Sequence, residues 1–112
     1  MRVWVDGSTT CASFVPEGWE PQLVEFPSPV TGNQGEYLAL IMALHWLRAQ
    51  DVKSATILSD SQLMVRQFNG EYKAKHPRLV QLLQQARQLA NTLNITVKWV
   101  PREENEAGKC LP

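Results

Sequence analysis

Met1-Arg2-Val3-Trp4-Val5-Asp6-Gly7-Ser8 opens the chain, and its reading decides how the rest is arranged. Val3 and Val5 alternate with more tolerant positions, and the run breaks at Asp-Gly. This pattern reads as a short strand with an acidic tip. A carboxylate at a strand end is a place to hold a metal ion or a catalytic group, although most Asp-Gly pairs simply make turns. Asp6 gains weight only if other acids converge on it.

Working outward, Thr9–Val15 is β-prone and ends at the turn signal Pro16-Glu17-Gly18. Gln22–Phe26 alternates again and stops at Pro27-Ser28-Pro29. The first thirty residues therefore predict three short strands in an antiparallel meander. The character then changes. Tyr37, Leu40, Ile41, Leu44 and Leu47 recur at helical spacing, with Asn33 as the expected N-cap and Glu36 as its capping-box partner. Ala55–Asp60 reads as a buried strand, again acid-tipped, followed by a helix from about Ser61 to Phe68 that Asn69-Gly70 closes. After the polar, basic connector Glu71–Arg78, Leu79, Leu82, Leu83, Ala86, Leu89, Ala90 and Leu93 mark an amphipathic helix, and Ile95–Val100 a last strand. The order β-β-β-α-β-α-α-β predicts one α/β domain over 1–112. Its mixed five-stranded sheet combines the meander with parallel strands one, four and five, and has helices on both faces.

The 112 residues are 44% hydrophobic with a formal net charge of zero, which suits one core and gives no global basic surface for nucleic acid. No apolar run approaches the ~20 residues of a membrane span, and no charged segment precedes an apolar signal core. The expectation is a cytoplasmic protein with no membrane partner. Cys11 and Cys110 fit no metal or redox spacing and are expected as free thiols.

Ligand sites in open α/β sheets lie at the carboxyl ends of parallel strands, where this reading puts Asp6 and Asp60. Glu36, near the start of the long helix, can point at the same spot. Each acid alone has a plainer role: Glu36 in a capping box, Asp60 as an N-cap. Together and without basic partners they would repel, and a divalent cation removes that conflict. Oxygen-only ligands suit Mg²⁺ or Mn²⁺ rather than zinc.

Val5-Asp6-Gly7-Ser8, Thr31-Gly32-Asn33-Gln34-Gly35-Glu36-Tyr37-Leu38-Ala39-Leu40 and Ser59-Asp60-Ser61-Gln62 resemble, in order and spacing, three signature segments of the ribonuclease H type 1 family. Asn69-Gly70-Glu71-Tyr72-Lys73 and Pro101-Arg102-Glu103-Glu104-Asn105 are similar to a compact bacterial and archaeal branch of it. The order Asp, Glu, Asp departs from the transposases and integrases of the same superfamily, in which the glutamate comes last.

The resemblance implies a ribonuclease H-like fold with a truncated C-terminal helix. It also implies a metal-dependent endoribonuclease that hydrolyses the RNA strand of RNA–DNA hybrids to 5′-phosphate and 3′-hydroxyl products. Two Mg²⁺ (or Mn²⁺) ions would be held by Asp6, Glu36 and Asp60, with Asp6 bridging. Substrate contacts carry over to Gly7, Ser8, Asn33, Gln34, Ser61 and Gln62 on the minor groove and phosphates. Lys73 and Lys75, in the basic cluster with His76 and Arg78, would meet the other strand. The implied partner is the hybrid, and no obligate protein partner is inferred. The family's mobile histidine belongs in the loop that here reads Arg102-Glu103-Glu104, so His76 does not inherit its role. The family's fourth carboxylate, four residues after the late asparagine, falls on Lys109. Substitution by Glu104 or Glu106, catalysis with three acids, or an inactive nucleic-acid-binding module all stay open on the sequence.

Overall fold

The structure, a computed structural model, describes residues 1–111. Five strands, β1 (Arg2–Gly7), β2 (Cys11–Pro16), β3 (Gln22–Glu25), β4 (Ser54–Ser59) and β5 (Asn94–Trp99), form one sheet in the order β3-β2-β1-β4-β5. β1 pairs antiparallel with β2 and parallel with β4; β2 pairs antiparallel with β3, and β4 parallel with β5. The expected meander and the three parallel strands are both present. β1 is central, so the strand that carries Asp6 is held on both sides.

Strand alternation puts Val3 and Val5 on one face. Phe14 is opposite Val5, Ile57 opposite Val3, and Val97 opposite Ile57. These side chains join one buried cluster with residues of α1 (Gly32–Ala49), α2 (Gln62–Phe68) and α3 (Pro77–Ala90). Tyr37, Leu40, Ile41, Leu44 and Leu47 make the buried stripe of α1, and Leu79, Leu82, Leu83, Ala86 and Leu89 that of α3. After β5 the described residues contain two 3-10 turns, Arg102–Glu104 and Gly108–Cys110, and no further α-helix. The second turn lies against β1 on the side to which Asp6 points. Helices on both faces thus take an unequal form: three α-helices on one, a single turn on the other. Pro112 lies outside the described residues.

The start of α1 differs from the sequence reading. Its N-cap is Thr31, not Asn33, and the capping box closes with Gln34, not Glu36. Thr31 Oγ1 accepts from the Gln34 amide at 3.1 Å, and the Gln34 side chain accepts from the Thr31 amide at 3.2 Å. Threonine at the cap with glutamine three residues on satisfies the same two orphan amides. Glu36 is thereby released from the first turn and free for another task. Thr31→Ala is expected to cost about 1 kcal/mol and lower the melting temperature by roughly 5 °C, whereas Asn33→Ala, at an exposed position, changes stability by less than about 0.5 kcal/mol. Thermal melts of the two variants check the assignment. The connector read to Arg78 is also shorter, because α3 begins at Pro77 with His76 as its cap. Proline suits that first helical position, where its missing N–H leaves nothing unpaired.

Candidate active site

The backbone of β1 reaches the amino end of α1 through two glycines. A Cβ on Gly7 would lie 2.0 Å from the Gly35 carbonyl oxygen, and one on Gly35 would lie 2.0 Å from that of Ser8. Only a pair of residues without side chains lets strand and helix approach so closely. The approach delivers Glu36 to the tip of β1. The Gly7 amide donates to Asp6 Oδ1 at 3.0 Å and to Glu36 Oε1 at 3.3 Å.

Asp60 arrives from the neighbouring strand. Ser61, not Asp60, caps α2, its hydroxyl accepting from the Met64 amide at 3.2 Å. The Asp60 carboxylate is therefore not used up by the helix. Its backbone carbonyl accepts from the Trp99 indole at 3.1 Å. One oxygen each from Asp6, Glu36 and Asp60 lies within 4.8 Å of the others. All three line a cleft of about 230 Å³ with Gly7, Ser8, Arg102 and Gly108.

The electrostatics of this cluster are unfavourable without a cation. Asp6 is 8% exposed, and Glu36 Oε2 is buried with no hydrogen-bond partner. Burial first, then the adjacent Asp6 carboxylate, push the Glu36 carboxyl up to about 9. Burial and Asp6 also raise Asp60, opposed by a hydrogen bond from Asn105 and the charge of Arg102. An orphaned buried carboxylate oxygen beside two further acids is a donor set that fits a hard divalent cation.

A pH dependence follows. Glu36 is raised from 4.5 to about 9 in the folded protein, so across that window the folded state binds more protons than the unfolded one. The metal-free protein is expected to hold this stabilisation fully below pH 4.5 and to lose it as pH rises through about 9. Cation binding requires the ionised carboxylate, so it should release a proton near neutrality and tighten with pH. Titration calorimetry with Mg²⁺ or Mn²⁺ in two buffers of different ionisation enthalpy reads the proton directly.

Other residues named from the sequence spread around this centre. Gly7 and Ser8 are in the cleft itself. Asn33 and Gln34 line a separate recess of about 220 Å³ with Thr31, His76 and Leu79, where α1 and α3 begin. The Ser61 hydroxyl is engaged as a cap, and Gln62 lines a recess with Val65, Arg66, Glu71 and Trp99. Lys73 lines a cavity of about 540 Å³ beneath the connector, away from the acids, and Lys75 is exposed nearby. Lys109 does not enter the cleft; it pairs with Glu106 at 3.1 Å. Gly108 takes the place beside Asp6, a Cβ there falling 3.0 Å from Asp6 Oδ2.

Two residues stand out that the sequence reading did not single out. Arg102 is the cationic side chain lining the cleft. Asn105 is fully buried; its amide donates to the Val5 carbonyl at 2.9 Å and its carbonyl oxygen accepts from the Ala107 amide at 3.1 Å, and its polar side chain near Asp60 opposes the rise in that acid's pKa. Asn105 thus ties the strand before Asp6 to the turn that carries Gly108. Both lay within a quoted segment, but their directions depend on the turn after β5.

Sheet order and acid cluster together define an α/β domain with three carboxylates gathered where its central parallel strands end and α1 begins. A family profile described as reverse transcriptase-like matches residues 22–111. The chain is 41% identical over 76 residues to the bifunctional protein Rv2228c of Mycobacterium tuberculosis, an alignment covering 67% of this chain and 21% of that protein. The chain therefore spans about a fifth of the length of the curated relatives it matches. Among solved structures, it is similar to the N-terminal RNase H domain of Rv2228c, fused to maltose-binding protein, with TM-score 0.82 and 29% identity over 93% of this chain and 84% of the other. It shares the fold of RNase H1 from Halobacterium salinarum, with TM-score 0.86 and 24% identity over 98% and 92%. The LC11-RNase H1 structure in complex with an RNA/DNA hybrid gives 0.84 and 24% over 98% and 91%. This chain belongs to the reverse transcriptase-like family, whose members carry the ribonuclease H-like fold.

Proposed function

We propose that the domain is an endoribonuclease that hydrolyses the RNA strand of RNA–DNA hybrids to 5′-phosphate and 3′-hydroxyl ends. The observation that carries this is the convergence of Asp6, Glu36 and Asp60 around the unpartnered Glu36 Oε2. The fold shared with a hybrid-bound RNase H1 supports the choice of substrate. Asp6, Glu36 and Asp60 would hold Mg²⁺ or Mn²⁺, one ion or two, as hard oxygen ligands suited to such cations. Such ions supply an activated water and neutralise charge developing on the phosphate.

The chain's own residues do the rest. Glu36 gives up its proton as the site loads. The Trp99 indole holds the Asp60 backbone in place, and Asn105 beside it favours the ionised carboxylate. Gly7 and Ser8 border the groove, and Asn33, Gln34, Ser61 and Gln62 face the duplex on either side. Lys73 and Lys75 meet the partner strand through charge alone. Arg102, lining the cleft with the acids, contacts the scissile phosphate. Arg102→Ala is expected to lower kcat/KM roughly ten- to a hundredfold, the size of a lost charge-assisted hydrogen bond.

The deciding experiment is cleavage of a labelled RNA–DNA hybrid in Mg²⁺ and in Mn²⁺, beside duplex RNA and duplex DNA, with products analysed for end chemistry. A folded protein that cuts none of them in either metal sinks the enzymatic reading. One observation favours a second reading, a module that binds hybrids without cutting them: the family's fourth acid is replaced by Lys109, bound to Glu106. That reading requires salt-sensitive hybrid binding that survives Asp6→Asn and Asp60→Asn.

A further inference from the structure

The face of Trp99 is unexplained by the site described so far. Of the four tryptophans, Trp4 lies under the Arg2 guanidinium, and Trp19 packs edge-on against Trp46. Trp99 is 46% exposed. It is nevertheless fixed, because its indole N–H is bonded to the Asp60 carbonyl. The ring forms one wall of a recess of about 210 Å³ whose other walls are Gln62, Val65, Arg66 and Glu71. Arg66 is held in turn by Tyr72, donating to its hydroxyl while its guanidinium sits 5.2 Å from that ring's centroid.

We propose that this recess binds an unpaired nucleotide of the RNA strand, its base stacked on Trp99, where that strand leaves the hybrid beside Asp60. The assignment rests on the hybrid-cleaving reading, which brings the RNA strand to Asp60. Three features favour a nucleotide over a protein side chain. The recess adjoins the carboxylate cluster through Trp99, whose indole is bonded to the Asp60 carbonyl, and through Gln62 two residues after Asp60, so a strand lying over the acids continues into it. It has room for one flat group and not for a helix or strand. Its walls supply what a nucleotide offers partners to. An indole face stacks with any base, a guanidinium meets phosphate or base, and the Gln62 amide and Glu71 carboxylate take base-edge or 2′-hydroxyl hydrogens.

The test uses the intact chain and fluorescence anisotropy in EDTA, where hybrids stay whole. Four probes are compared: a blunt hybrid, hybrids whose RNA strand carries two unpaired residues at the 5′ or the 3′ end, and a hybrid whose extension is abasic. One polarity is expected to bind about tenfold more tightly than the blunt duplex, and the abasic extension no more tightly than blunt. Results are read as the ratio of extended to blunt affinity within each protein, so a general weakening through Asp60 cancels. That ratio should fall to near unity in Trp99→Leu and in Arg66→Gln, and survive largely in Trp99→Phe. A wild-type ratio near unity for both polarities, an equal gain from the abasic extension, or a ratio untouched in both Trp99→Leu and Arg66→Gln overturns the assignment. Absence of cleavage in Mg²⁺ and Mn²⁺ would instead overturn the enzymatic reading, and is scored separately.

Discussion

In an Asp6→Asn variant, hybrid cleavage is expected to fall on the order of a thousandfold, while the metal-free protein becomes more resistant to heat than wild type. The two halves of this outcome have one cause. Burial first, and then the adjacent Asp6, raise the Glu36 pKa, so the metal-free cluster folds at neutral pH only at the cost of keeping a proton on Glu36 until a cation replaces it. Amide in place of carboxylate relieves the strain and removes a cation ligand together. Wild-type protein should therefore gain melting temperature on adding Mg²⁺ or Mn²⁺, as any ligand of the native state provides, and the variant should gain far less. Asp60→Asn is expected to behave alike in activity, with a smaller rise in metal-free stability because Arg102 and Asn105 already offset part of the Asp60 charge. The measurements are single-turnover cleavage and thermal melts with and without metal. An Asp6→Asn protein that cuts at close to the wild-type rate would remove Asp6 from the chemistry.

Gly35→Ala is expected to be the most damaging small substitution away from the acids. The added methyl group would meet the Ser8 carbonyl carbon and oxygen at 2.9 and 2.0 Å, contacts with backbone that no rotamer change can relieve. The helix must then move off the strand, at a cost of about 3 kcal/mol or more and roughly 12 °C in melting temperature. Alanine is ordinarily the better helix residue, so propensity alone predicts the opposite sign. Because the movement carries Glu36 away from Asp6, metal affinity should drop as well. Gly32→Ala, in the same helix with open space around its Cβ position, is the control and is expected to be neutral or mildly stabilising. Equal behaviour of the two variants would refute the close-contact argument.

The predictions separate what each kind of information can reach. Strand alternation around Val3 and Val5, the helical spacing of Leu40, Ile41, Leu44 and Leu47, and the turn residues between them are local patterns. They suffice for element order and for a mixed sheet, since each pattern states which face of its own element is apolar. The three acids were legible for the same reason: Asp6 and Asp60 lie at strand ends and Glu36 near the start of a helix, and their types suit one hard cation. Capping was misjudged because Thr31, Asn33, Gln34 and Glu36 offer overlapping cap patterns, and the choice among them depends on where β1 meets the helix.

By itself, then, the sequence determined the class of fold, the identity of the acids and the departure at Lys109, all carried by residue type and short-range spacing. Tertiary structure alone decided that Gly7 and Gly35 touch, that Glu36 Oε2 is left without a partner, and that Lys109 turns to Glu106 while Gly108 lies beside Asp6. It also placed Arg102 in the cleft, buried Asn105 between Val5 and Ala107, and left the face of Trp99 open. These depend on distances between residues as far as 100 positions apart, and such distances are set by how sheet and helices pack rather than by any local pattern.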